Sequence, residues 1–387
     1  MYNIKTYNKI SAVGLEVLDE KMYNVSGEAE NPVGAIVRSM ALHEEKFPES
    51  LLAIARAGAG VNNIPIDRCS KEGIVVFNTP SANANAVKEL VILGLLVSSR
   101  KVVDGIEWAK TLKGEGAEVP KLVEKGKGAF VGPEIRGKTL GVIGLGAIGV
   151  LVANAAKNLG MTVYGYDPFL SLQNAWNLSH SIKRATEINE IFEKCDYITL
   201  HIPQNKDTKN TINKDTISLM RDGVRILNFA RDGLVNSADM IAALESGKVA
   251  SYVVDFPTEE MLGVPGVVAI PHLGASTPES EDNCAVMAAR ELSEYIEDGN
   301  ITNSVNFPNV SMPRSAAVRI SVIHKNVPTM ITAITGVLAK DKVNIENLIN
   351  KSRDDYAYTM LDVDKCDTGA VSEHISAIDG VIRVRVI

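Results

Sequence analysis

Three stretches, "NFARDGLVN", "DFPTEE" and "IPHLGAST", each follow an apolar run, and each brings one residue able to act on a small acid: Arg231, Glu259 and His272. Imidazole titrates near neutrality, so His272 could take a hydroxyl proton and return it in the reverse direction. A neighbouring carboxylate such as Glu259 would favour the imidazolium. Arg231, always charged and able to make a two-pronged contact, suits a substrate carboxylate beside the reacting carbon. A base for the hydroxyl proton and a cation for the carboxylate are what hydride abstraction from a secondary alcohol asks of a protein. The hydride acceptor itself must be a cofactor.

The stretch "GVIGLGAIGV" supplies a place for one. Its Gly144-x-Gly146-x-x-Gly149 directly follows a β-rich run and directly opens a helical pattern, with Ala147 and Ile148 in the first turn. Gly144 would allow the tight turn, Gly146 the approach of backbone to a pyrophosphate, and Gly149 close packing of helix on strand. Asp167 in "YGYDP" lies eighteen residues beyond Gly149, where a carboxylate accepts hydrogen bonds from the adenosine ribose. The same carboxylate would repel a 2′-phosphate, which favours NAD over NADP.

Positioning these groups falls to an alternating series. From residue 138 the runs "TLGVIG", "MTVYGYD", "DYITLHIP", "VRILNFA", "VASYVVD" and "VVAIPH" alternate with helical patterns, the signature of a doubly wound parallel sheet. Ligands bind beyond the carboxyl ends of such strands, so Arg231, Glu259 and His272 can converge there. Upstream, "GAIVRS", "LLAIARAG" and "GIVVFNTP" suggest a second, smaller α/β domain, followed by a long helical pattern from about Asn83 to Lys110. Ser276 and Glu279 have capping-box spacing ahead of another long helix that is expected to return to that domain, making it discontinuous. "NFPNVSMPRSAA" reads as a linker, and the stretch after it as a βαββαβ unit.

The chain has 387 residues, 45% of them hydrophobic, and a formal charge of −7 without charged tails, which suits two or three globular domains and argues against a nucleic-acid partner. The most apolar run, "LVILGLLV", is far short of a membrane span, and no cluster of metal-ligand spacing is present. Four scattered cysteines and no signal-peptide core suggest a reducing, cytoplasmic setting without disulfides.

Five segments in order, "RAGAGVNNI", "VFNTPSANANAVKE", "GKTLGVIGLGAIG", "NFARDGLVN" and "PHLGAST", resemble the D-isomer-specific 2-hydroxyacid dehydrogenases over nearly the whole chain, and most closely their phosphoglycerate-oxidising members. The resemblance implies an α/β protein in three parts. These are a Rossmann-type NAD-binding domain at 91–283, a discontinuous flavodoxin-like substrate domain at 1–90 and 284–306, and, after a linker at 307–317, a C-terminal ACT-like domain at 318–387. It makes Arg231, Glu259 and His272 catalytic and adds His201, Pro203, Ala230 and Asp255 to the cofactor cleft, with no proton transfer at His201. In that family one residue separates the nicotinamide-contacting aspartate from the phenylalanine of the glutamate loop. Here Asp255 directly precedes Phe256, so either the loop is one residue shorter or Val254 takes the aspartate's place.

The expected substrate is D-3-phosphoglycerate, its carboxylate on the backbone of Gly58, Ala59, Gly60 and Val61, with Arg38 and Ser39 in the neighbouring contact segment. Arg38 reads either as the partner of the phosphate or as a surface ion pair. Other members act on glyoxylate, hydroxypyruvate or lactate, and the corepressors that share the core only sense NAD. His324, Asn326 and Asn344 match residues that contact L-serine between paired ACT modules, although Thr329 stands where the family has glycine. A homodimer or homotetramer is expected, formed in part by the helices after Asn83.

Overall fold

A computed structural model describes all residues, Met1–Ile387. They form two contact-dense units, Met1–Asn83 with Pro278–Ile387, and Ala84–Thr277. Both borders fall at helix starts, a few residues before the expected 90/91 and 283/284, because each helix packs as one body. No helix is long and apolar enough to cross a membrane.

The first unit begins with β1 (Tyr2–Tyr7), α1 (Ala12–Leu15), β2 (Tyr23–Ser26), β3 (Gly34–Val37), β4 (Ala53–Arg56), α2 (Ile66–Lys71) and β5 (Val75–Asn78). The strands form a parallel sheet in the order β2-β1-β3-β4-β5, the flavodoxin-like arrangement. Both faces are covered, so alternate residues divide between two cores. Ile36, Ala53, Ala55, Val75 and Phe77 point one way. Ala35, Val37, Ile54 and Val76 point the other. Strands β1 and β2 escape the sequence pattern because polar residues interrupt them: of "YNIKTY" only Ile4 and Tyr7 are buried.

The second unit opens with α3 (Ala84–Ser99), α4 (Val102–Thr111) and α5 (Val119–Gly126), so the single helix expected to Lys110 is broken after Ser99. Then follow β6 (Thr139–Ile143), α6 (Ala147–Asn158), β7 (Thr162–Tyr166), α7 (Leu172–Asn177), β8 (Lys183–Arg184), α8 (Ile188–Lys194) and β9 (Tyr197–Leu200). The series closes with α9 (Lys214–Leu219), β10 (Val224–Asn228), α10 (Ser237–Glu245), β11 (Val249–Val254) and β12 (Val267–Ala269). Seven parallel strands in the order β12-β11-β10-β9-β6-β7-β8 make the doubly wound sheet, with the strand order reversing between β6 and β9. The strand unforeseen in the sequence, β8, is two exposed residues long. Helices α3 and α6 cover one face and α8, α9 and α10 the other, each through an apolar stripe.

Helix α11 (Pro278–Asp298) returns the chain to the first unit and lays Ala285, Ala288, Leu292 and Tyr295 on its sheet. It starts on Pro278, so Thr277 rather than Ser276 precedes it, and the Ser276 hydroxyl bonds the His272 carbonyl instead. The expected linker has no helix or strand, yet Phe307, Val310 and Met312 are buried in the same core. Beyond it β13 (Val318–Lys325), α12 (Met330–Lys340), β14 (Ile345–Arg353), β15 (Tyr356–Val363), α13 (Thr368–Ser376) and β16 (Val381–Val386) complete a βαββαβ unit. Its antiparallel sheet runs β14-β15-β13-β16. The two helices cover Ile320, Val322, Leu361 and Val363 on one face, while Ile323, Tyr358 and Met360 join the α11 core on the other.

Candidate active site

The glycines after β6 do three separate jobs. Gly144 holds φ +93°, and a Cβ there would sit 2.5 Å from the His201 carbonyl oxygen. At Gly149 a Cβ would lie 1.9 Å from the Gly144 carbonyl oxygen, so only glycine lets α6 start this close to the turn. A Cβ on Gly146 would meet no protein atom within 4 Å. That residue borders open space at the N-terminus of a twelve-residue helix, where the free N–H groups of Ala147 and Ile148 favour an anion. A pyrophosphate fits this cradle.

Asp167, at the end of β7, fastens the loop by accepting hydrogen bonds from the N–H groups of Leu145 and Phe169, both at 2.8 Å. A cavity of about 320 Å³ lies alongside, lined by Leu145, Gly165, Asp167, Pro168, Leu178 and Ile182 among others. Each carboxylate oxygen keeps a further lone pair that a ribose hydroxyl could use. At the end of β9, burial pushes His201 down to about 3, and its Nε2 lies 3.0 Å from the Thr199 hydroxyl. His201 therefore stays neutral at working pH, one ring nitrogen keeping its hydrogen, and does not take up a second proton. Pro203 follows it and accepts the Thr208 hydroxyl at 2.6 Å.

At the end of β10 the buried Asn228 shapes the turn that carries Ala230 and Arg231. Its Oδ1 accepts the N–H groups of Ala230 and Arg231 at 3.2 and 3.4 Å, and its Nδ2 donates to the Arg231 carbonyl at 2.7 Å. The Arg231 guanidinium donates to the Ala230 carbonyl and lies 5.7 Å from the centre of the Phe256 ring. His272 meets the same ring, 4.4 Å between centroids and tilted by 47°. Phe256 is thus a platform shared by the cation and the imidazole. Nothing in the spacing of the sequence marked it, because the contact joins residues on three separate loops.

Glu259 stands exposed at the head of a short 3-10 turn, Glu259–Met261, and makes no hydrogen bond or ion pair with His272. The expected acid–base pair is therefore not closed in this structure. An exposed carboxylate gains little from pairing until water is removed from around it.

Asp255, expected at the nicotinamide, is engaged with the backbone of the loop that follows His272. It is almost wholly buried, and its two oxygens accept the N–H groups of Leu273 and Gly274 at 2.8 and 2.9 Å. His272 itself donates its N–H to the Asp255 carbonyl at 3.0 Å and holds φ +52°, an uncommon conformation for a side chain of its size. Burial raises the Asp255 carboxyl, while the two backbone donors and His272 pull it back down. Val254 lies in the strand core. The short loop thus turns Asp255 into a clamp on the segment that carries His272.

Replacing Asp255 with asparagine substitutes an N–H₂ for one acceptor and sets it against a backbone N–H. The expected result is a kcat lowered about 10- to 100-fold with KM for the cofactor within about 3-fold, since the imidazole is misplaced while the cofactor's contacts stand. A loss carried by KM for NAD would return Asp255 to the nicotinamide.

The substrate-domain residues lie in the first unit. Arg38 pairs with Glu281 at 2.7 Å on the surface, the ion-pair reading of this residue. Such a pair is worth at most about 1 kcal/mol and does not withhold the guanidinium from a phosphate. The N–H of Ser39 donates to Asn8 at 3.3 Å. Gly58 donates its N–H to the Arg56 carbonyl and accepts from Thr79, whereas the N–H groups of Ala59, Gly60 and Val61 donate to nothing in the chain. Three successive free donors suit an anion. Arg56 lies against this loop and bonds the Arg38 carbonyl, a cation that sequence reasoning left out.

His324, Asn326 and Asn344 are not brought together. The buried His324 has both ring nitrogens at 2.8 Å from partners, the Lys325 carbonyl and the Thr359 hydroxyl. Asn326 donates to the Asp354 carbonyl. Asn344 precedes Ile345, which pairs with Val363 at the far end of the strand whose near end, Ala357, pairs with His324. Thr329 takes φ +68°, the backbone conformation a glycine would adopt freely.

Residues 95–274 match the NAD-binding domain of the D-isomer specific 2-hydroxyacid dehydrogenases. The chain is 33% identical over 354 residues to the D-3-phosphoglycerate dehydrogenase of Escherichia coli (strain K12), an alignment spanning 88% of this chain and 82% of that one. It is 32% identical over 343 residues to the D-3-phosphoglycerate dehydrogenase of Bacillus subtilis (strain 168), covering 82% and 62%. Among solved structures it resembles the NAD+-bound 3-phosphoglycerate dehydrogenase of Entamoeba histolytica, with a TM-score of 0.61 and 27% identity over 79% of this chain and 98% of that one.

Proposed function

This chain belongs to the D-isomer-specific 2-hydroxyacid dehydrogenases, NAD-dependent oxidoreductases, and from that membership we propose that it oxidises D-3-phosphoglycerate to 3-phosphohydroxypyruvate, the entry to a phosphorylated route to L-serine. Bound NAD supplies the hydride acceptor. The Gly144–Gly149 turn would hold its pyrophosphate and Asp167 its ribose, and the Asp167 carboxylate would turn away a 2′-phosphate. Arg231 grips the substrate carboxylate and polarises the oxygen on the reacting carbon. An imidazole nitrogen of His272 takes the hydroxyl proton as the carbonyl forms and returns it in reduction. Glu259 favours the imidazolium once substrate displaces water. The alcohol thus loses a hydride and a proton, giving ketone, NADH and H+.

The observation that carries this reading is the Phe256 ring shared by Arg231 and His272, a common neighbour for the proposed carboxylate anchor and base. Support for a phosphorylated acid comes from the free N–H groups of Ala59, Gly60 and Val61 and from Arg38, which offer two separate anion contacts. Exposed Leu93, Leu96, Val102, Val103 and Ile106 on α3 and α4 support pairing of copies. L-Serine binding would need such a pair, because Asn344 of one chain lies too far along the sheet from its own His324.

NADH formation with 3-phosphoglycerate, glycerate and D-lactate, each with and without L-serine, tests the proposal. Turnover confined to the phosphorylated acid is expected. Turnover confined to an unphosphorylated acid would remove Arg38 from the site and leave the mechanism, whereas NAD binding without turnover on any acid would favour the cofactor-sensing alternative.

A further inference from the structure

Glu291 is a titratable group that the mechanism leaves unused. It sits on α11 within the first unit, 5% exposed. One carboxyl oxygen accepts the Asn303 amide at 2.7 Å, and the other has no partner. Asn303, at φ +58°, accepts the N–H of Asn78 on its backbone carbonyl. Asn78 in turn donates its side-chain amide to the Ala59 carbonyl at 2.6 Å. Next along the chain, the N–H of Thr79 donates to the Gly58 carbonyl at 3.1 Å. A continuous hydrogen-bonded path therefore joins a buried carboxyl to both carbonyls of the 58–59 segment, whose neighbouring N–H groups are free.

We infer that Glu291 is a positioning residue for the Gly58–Val61 loop, acting through Asn303 and Asn78, and that its deprotonation loosens the loop and weakens binding of the substrate carboxylate. This rests on the reading of that loop as the carboxylate cradle.

The surroundings favour the neutral acid. Burial, with a smaller push from Glu294 three residues on along the same helix, outweighs the lowering by the Asn303 hydrogen bond and leaves the Glu291 carboxyl raised to about 8. Of the elements packed against α11, α1, β3 and β5 carry no charged residue, and the β4 residue Arg56 is bonded to the Arg38 carbonyl. From the C-terminal sheet, Arg385 is held by the Tyr295 and Ile296 carbonyls and Arg319 by Asp362. Each of these cations already has a partner of its own. Ionisation by itself strengthens the Asn303 bond, but it leaves the other oxygen charged and without a donor in an apolar core; because burial outweighs that bond, relief comes from the carboxylate shifting out of place, and the displacement is passed to its single partner, Asn303.

The test uses the full chain and two readouts. In the wild type, KM for 3-phosphoglycerate is expected to rise about 5- to 10-fold between about pH 7 and about pH 9.5, because the protonated form of Glu291 is the binding form. The substrate confounds this little, since a phosphate with a second pKa of about 6 is already about nine-tenths dianionic at pH 7. Amide exchange in the 56–64 segment, corrected for intrinsic pH dependence, should accelerate over the same range. In Glu291→Gln both dependences should flatten to under about 2-fold, while the pH dependence of kcat stays as in wild type. Asn303→Gly keeps the positive φ and cuts the path, and should also flatten both, which covers a failure of the glutamine variant to fold. Equal KM–pH profiles in wild type and both variants, or wild-type exchange that does not respond to pH, would overturn the inference. The exchange readout needs no substrate, so absence of turnover on 3-phosphoglycerate would sink the proposed reaction without deciding the path.

Discussion

His272→Asn lowers kcat by about 10²- to 10⁴-fold, the range that a positioned general acid–base contributes, with KM for NAD nearly unchanged. Asparagine is the informative replacement because the backbone at this position holds φ +52°, which asparagine adopts more readily than most side chains. The Asp255 clamp on Leu273 and Gly274 then survives, and the loss reads the missing imidazole rather than a displaced loop. The cradle at Gly144–Gly149 and Asp167 does not involve His272, so cofactor binding measured by fluorescence should persist. A variant that keeps more than about a tenth of wild-type kcat would remove His272 from proton transfer and leave Glu259 as the candidate.

Arg319→Met has the largest expected effect on stability. The Arg319–Asp362 pair is fully buried, with Nε to Oδ1 at 2.6 Å and Nη2 to Oδ2 at 2.9 Å. Asp362 also accepts the N–H and hydroxyl of Ser315, and Arg319 donates to the Asp298 carbonyl at the end of α11. Removing the guanidinium strands a carboxylate in the interior, at a cost of about 3 to 5 kcal/mol, seen as a lower denaturant midpoint. Burial alone would raise the Asp362 carboxyl, but Arg319 and Ser315 hold it below its usual value.

The sign of the pH dependence follows. A depressed carboxyl stabilises the fold above its unfolded value and loses that contribution as pH falls through the folded one. The gap between wild type and Arg319→Met should therefore narrow on acidification, as the stranded Asp362 takes up a proton. Adding Asp362→Leu should recover most of the loss near neutrality, because two well-packed apolar side chains replace a pair that is costly to desolvate. A single variant as stable as wild type would show that the pair contributes nothing.

The local frame of the protein was legible because it depends on neighbours in the chain. Strand, glycine turn and helix follow one another from Thr139 to Asn158, and the six apolar runs from β6 to β12 announced a doubly wound sheet. Strands β1, β2 and β8 went unseen where polar or very short segments blur the period of two. Asn228 lay inside a recognised motif, yet its role appears only when its side chain is seen closing the Arg231 turn.

By itself the sequence determined the order of the elements, the cofactor cradle and the identity of the chemical groups, since period, turn residues and motif spacing are properties of adjacent residues. The tertiary structure alone decided that Phe256 carries both Arg231 and His272, that Asp255 faces the 273–274 backbone, and that Glu259 stands unpaired. It also decided that Arg319 finds Asp362 forty-three residues away, and that Glu291 is buried with one oxygen unmatched. Each of those is a contact between distant segments, and the energy of a buried charge depends on what packs around it rather than on what precedes it in the chain.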